Sequence, residues 1–165
     1  MIETVARLNM ADQIAFTRSC AAVHNQTKQY PHCGRCSQCI DRRFAVLAAG
    51  LEHHDPGEAY RVDLLEDARN GVVDREIALS YLRNAQAFEH MGKEDLERHF
   101  PAVLDAVRHL QQPPDTALSM IGDLLARHGR GVAGVMREFT RQRSPDDFPE
   151  HSLPRLYGDV QRQVL

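Results

Sequence analysis

The sequence has no Trp and only 6% aromatic residues, and 10 Gly and 8 Pro are spread over 165 positions. A sheet built from aromatic and β-branched side chains is a poor fit to that balance, whereas helices packed through Leu, Ala and Val suit it. No apolar run approaches the roughly 20 residues that span a bilayer, and MIETVARLNMADQIAF lacks the basic-then-apolar layout of a signal peptide. These absences lead us to expect no membrane association and a cytoplasmic protein. Strong charge of either sign is also missing. A net charge of −3 argues against a chain that coats nucleic acid over a whole face, although a local basic patch remains compatible with it. At 42% hydrophobic and 26% charged residues, the chain has the composition of a globular domain with one real core.

Cysteine is absent after Cys39, and all four cysteines, Cys20, Cys33, Cys36 and Cys39, fall within twenty residues. Three form a C-x-x-C-x-x-C run in HCGRCSQC, and the fourth lies on Asp12–Ala22, which reads as a helix. A C-x-x-C turn brings two thiolates to one side of a metal, and tetrahedral zinc takes four such ligands. Gly34 stands where that turn needs a permissive residue. Two disulfides are the weaker reading without a secretion signal. An iron–sulfur cluster is the better rival, but the place of the fourth cysteine of a ferredoxin run is taken by Arg43, and no proline follows. His24 and His32 lie in the same stretch and are alternative ligands for a three-Cys, one-His site. Lys28, Arg35, Arg42 and Arg43 supply cations to offset the thiolates.

The segment Arg18-Ser19-Cys20, then HCGRCSQC, then Asp41-Arg42-Arg43-Phe44-Ala45 resembles the C-terminal zinc motif of the 7-cyano-7-deazaguanine synthases, and the leader Thr4–Ile14 fits as well. Those enzymes are ATP-dependent ligases of the PP-loop pyrophosphatase class. The resemblance covers about residues 1–50 and implies that Cys20, Cys33, Cys36 and Cys39 bind zinc. It also implies a place in the synthesis of 7-deazaguanine precursors of queuosine-type modified guanines. The family's S-G-G-x-D-S loop for ATP is absent, and the glycine group of HGRGVAGV lacks its serine and aspartate. The chain thus reads as the C-terminal piece of a larger relative, inactive without an N-terminal PP-loop ATP-pyrophosphatase half in cis or in trans. No catalytic or cofactor-binding residue is assigned.

Along the chain, Asn9 is a candidate N-cap, residues 22–31 read as a loop, and Ser37 is a candidate cap for a helix bearing Ile40, Phe44, Leu47 and Leu51. The turn-rich His53-His54-Asp55-Pro56-Gly57 reads as a solvated linker. It separates a zinc-binding region, 1–54, from a helical domain, 58–165. Residues 60–64 alternate like a short strand or begin another helix. Helices follow over 75–90, capped by Asp74, and over 94–110, interrupted near Pro101. Another runs from Asp115 or Thr116 to a stop at Gly129, the next carries Val132, Val135, Met136 and Phe139, and a tail over 144–165 wraps the bundle. The expectation is a mainly α protein, a four-cysteine zinc knuckle followed by a helical bundle. Glu66, Asp67, Asp74 and Glu76 read as a solvated acidic face. Arg127, Arg130, Arg137, Arg141 and Arg143 support an alternative function, a stand-alone helical zinc module that binds a protein or nucleic acid.

Overall fold

The computed structural model describes residues 2–141 and 143–162. It is mainly helical, and no strand forms among the described residues. Seven α-helices follow in order: α1 (Ile2–Arg7), α2 (Ser37–Ala48), α3 (Val72–His90), α4 (Lys93–His99), α5 (Val103–Val107), α6 (Pro114–Thr140) and α7 (Leu153–Arg162). No described helix is long and apolar enough to cross a membrane.

Helix α1 ends on Asn9, whose φ of 54° is left-handed. The N–H groups of Asn9 and Met10 turn back to the carbonyls of Ala6 and Val5. Asn9 therefore closes the helix before it and does not cap the one after. Helix α2 ends the same way: Gly50 sits at φ 66°, with Gly50 N–H on Leu47 O and Leu51 N–H on Val46 O. At its start Cys36, with extended ψ of 157°, holds the cap position that Ser37 was expected to take. Helix α3 begins at Val72, with Asp74 inside its first turn, where a carboxylate complements the helix dipole. Pro101 divides the next helical stretch into α4 and α5, because it has no N–H to give and its ring crowds the preceding turn.

The expected stop at Gly129 does not occur. Helix α6 is continuous for 27 residues, with Pro114 in its first turn. Gly129 marks a close crossing instead: a Cβ there would lie 2.4 Å from Ala85 O and 2.5 Å from Glu89 N of α3. The absent side chain lets the two helix backbones approach, and packing overrides the residue's poor helix propensity.

The main core gathers Ile40 and Phe44 of α2, Ala78, Leu82 and Ala85 of α3, Val132 and Met136 of α6, and Leu153, Leu156 and Val160 of α7, with Leu64 and Leu65 from the connection before α3. Residues on both sides of the 54–58 segment thus share one core. The tail packs against this bundle as helix α7, while residues 163–165 lie outside the described part of the chain. A smaller cluster joins Leu96, Val107, Ala117 and Leu118 of α4, α5 and α6.

The crossing makes a contrast measurable. Gly129→Ala should destabilise the protein by about 1–3 kcal/mol through overpacking, although alanine is the better helix former. Gly134→Ala, where an added Cβ meets nothing within 4 Å, should be neutral or stabilise by up to about 1 kcal/mol. Urea denaturation of both variants checks the pair; equal effects would contradict the crossing.

Candidate metal centre

The four cysteines converge although little regular structure carries them. Cys39 lies in the first turn of α2 and Cys36 at its cap. Cys33 lies on the turn before it, and Cys20 follows a short 3-10 helix, Ala11–Phe16, on irregular chain. The expected helix over Asp12–Ala22 is therefore only partly formed. Thr17 leaves it with extended backbone, its hydroxyl bonded to Ile14 O at 2.9 Å.

Arg42 holds that irregular chain in place. Its buried guanidinium donates to Asp55 Oδ1 at 2.8 Å, to Thr17 Oγ1 at 2.6 Å and to Ile14 O at 2.7 Å. Asp55 is also buried. It accepts a 2.6 Å bond from Tyr60 Oη, and its carbonyl accepts from Arg43. The His53–Gly57 turn is thus not a solvated linker: Asp55 fastens it to α2. Burial first, then the Asp55 carboxylate, pushes the Tyr60 phenol above its ordinary range.

Gly34 is fixed twice over. Its φ is 73°, and a Cβ would fall 1.9 Å from Val62 O. Its carbonyl accepts from Arg69 Nη2 at 3.1 Å. Its left-handed turn aims the following N–H groups at sulfur, so that Arg35 N–H and Cys36 N–H point to Cys33 Sγ at 3.3 and 3.4 Å.

All four sulfurs lie within 4.8 Å of one another, with Cys33 and Cys39 at 3.9 Å, and all four are free thiols. A tetrahedron with metal–sulfur bonds of about 2.3 Å has edges of about 3.8 Å, so the set fits one metal ion. Burial pushes the Cys39 and Cys33 thiols up. Burial also opposes ionisation of Cys36, but the N–H groups of Ala21 and Cys39 and the neighbouring thiols outweigh it and bring Cys36 down to about 7. Four adjacent sulfurs cannot all ionise against each other, and a divalent cation among them removes that conflict.

The surrounding charges differ in part from those expected. Arg35 faces Asp74 at 3.5 Å and Lys28 is exposed, while Arg42 and Arg43 serve Asp55. The cation behind the knuckle is Arg69, 1% exposed, whose Nε and Nη1 find no hydrogen-bond partner among the described residues. Burial lowers its pKa, while Asp74 and the Cys33 thiolate act to raise it. Nothing near Arg69 in the sequence signals this role. His24 is exposed, and neither it nor His32 belongs to the sulfur group. His32 stacks on Tyr60 at 4.8 Å, and the two residues pair in an isolated parallel bridge that replaces the strand expected over 60–64. Burial and the nearby Arg42 lower the His32 pKa to about 4, so the ring stays neutral.

The remaining candidate groups do not assemble. Glu66 pairs with Arg143 at 3.0 Å, Asp67 accepts from Asp63 N–H and Asp74 meets Arg35, so the acidic residues form no cluster. The glycines of HGRGVAGV lie inside α6 and offer no loop for phosphate.

Fold and site together define a mainly helical protein whose N-terminal third is organised around a four-cysteine cluster able to hold a metal ion. The chain matches no protein-family model, no curated protein and no solved structure.

Arg42 and Asp55 are 6% and 2% exposed, so Arg42→Met should leave a buried carboxylate unpaired and cost about 3–5 kcal/mol. Chemical denaturation followed by circular dichroism measures it. A loss below about 1 kcal/mol, the range of exposed pairs, would show that the network does not hold this region.

Proposed function

We propose that Cys20, Cys33, Cys36 and Cys39 hold one structural zinc ion, and that the chain is the zinc-bearing region of a protein similar to the 7-cyano-7-deazaguanine synthases. In that reading it joins an N-terminal PP-loop ATP-pyrophosphatase half, in cis or in trans, that supplies the ATP chemistry absent here. The observation that carries the zinc assignment is the meeting of four sulfurs within 4.8 Å around the C-G-x-C-x-x-C turn. Four protein ligands close the coordination sphere, so the ion supplies folding energy and orders the chain around it, with no position open to substrate.

Support for the family part is narrower. It consists of the cysteine spacing and of the helix that follows, on which Arg42 and Arg43 tie the Asp55 turn to the site and Phe44 enters the core. The resulting protein orders a surface for the ATP-bearing half and catalyses nothing alone. Ammonia-dependent conversion of a deazapurine carboxylate to a nitrile would take place on the assembled protein.

Elemental analysis of the purified chain with an ATP titration tests this. The expected result is one zinc per chain, no ATP binding by the chain alone, and loss of the metal in Cys36→Ser with selective loosening of residues before 62 in hydrogen exchange. Iron, or no metal, would overturn the zinc centre. ATP binding by the isolated chain would overturn the non-catalytic role.

A further inference from the structure

The C-terminal half of α6 and the end of α2 border an open groove of about 820 Å³. Its floor is apolar, made by Leu47, Leu65, Val135 and Phe139. Along its edge stand Arg130, Arg141 and Arg143. Three properties of this groove converge on one kind of occupant.

The first is charge. The chain carries −3 overall, yet from Arg127 to Arg143 it has Arg127, Arg130, Arg137, Arg141 and Arg143 against the single acid Glu138. Arg127, Arg130, Arg137 and Arg141 recur at spacings of three, seven and four, which places them along one side of α6, and all four are exposed. Arg141 holds Glu138 at 2.9 Å and Arg143 holds Glu66 at 3.0 Å, while Arg130 forms no ion pair among the described residues. Glu52 and Glu138 also border the groove, and the first lies at its α2 end. An acidic partner complements this edge.

The second is the apolar floor. A bare phosphate backbone would cover those four side chains without gaining from them, whereas an amphipathic segment buries its own apolar stripe there.

The third is Gly134. A glycine inside a helix costs about 1 kcal/mol relative to alanine. Gly129 has a structural reason in the α3 crossing, but a Cβ at Gly134 would meet nothing within 4 Å, and one at Gly131 only Ala48 Cβ at 3.5 Å. The fold does not use the bareness of Gly134. A second backbone lying against the groove would use it, because glycines one turn apart admit close helix approach.

We propose that this groove docks an acidic amphipathic helix of a partner chain, with its apolar stripe on Val135 and Phe139, its carboxylates toward Arg130 and Arg141, and its backbone against Gly131 and Gly134. The site is separate from the cysteine cluster and does not depend on which metal the cluster holds.

Fluorescence anisotropy with the full metal-loaded chain tests it. The probes are a labelled synthetic helix of about five turns, with a Leu stripe flanked by Glu, its Lys-for-Glu counterpart and a single-stranded RNA oligonucleotide. The Glu helix should bind at least about tenfold more tightly than the Lys helix, and Arg130→Glu should weaken it about tenfold. Gly134→Leu fills only open space, so it should melt no lower than the parent protein while losing peptide binding about tenfold or more. Equal binding of the two helices, no binding of either, or unchanged affinity in a folded Gly134→Leu protein would overturn the proposal. Tighter binding of the RNA than of the Glu helix would overturn it in favour of a nucleic-acid face.

Discussion

The convergence of four sulfurs is the constraint on which the N-terminal third depends. Between Leu8 and Arg35 only short 3-10 turns form, and the buried cluster beneath them consists of Cys20, Cys33, Cys39 and Tyr60. Such a cluster is too small to repay the entropy of fixing nearly thirty residues of irregular chain. A metal ion bonded to four thiolates supplies the missing cohesion, as in other small sites where binding energy is folding energy. The protein places support around it: Gly34 provides the left-handed turn, Arg69 lies behind it as a buried cation, and Arg42 ties the approach to Cys20 to the Asp55 turn.

Helix α2 transmits this order to the bundle. Its first turn carries Cys39, its middle sends Ile40 and Phe44 into the main core, and its last turn forms one wall of the groove along α6. A change at the cysteine cluster is therefore felt through the register of one helix, and both surfaces discussed above share that helix.

The parts of this arrangement legible in the sequence are those set by short-range rules. The C-x-x-C spacing, the αL glycine within it, the body of α2 and the break at Pro101 all follow from local geometry, and all are present. The misread parts depend on contacts distant in sequence. Gly129 looks like a helix stop until α3 is seen crossing it. The Asp55 turn looks solvated until Arg42, thirteen residues earlier, is found paired with it. Cys20 sits off the expected helix because the Arg42 guanidinium takes up Ile14 O and the Thr17 hydroxyl. Arg69, thirty-five residues from the Gly34 carbonyl it binds, leaves no local signal.

The account rests most directly on the coordination of the metal. X-ray absorption at the zinc edge of the purified protein reads that shell without reference to any partner. Four sulfur neighbours at about 2.3 Å are predicted. A shell with nitrogen or oxygen in place of any sulfur, or a protein that holds no zinc to measure, would contradict the central claim.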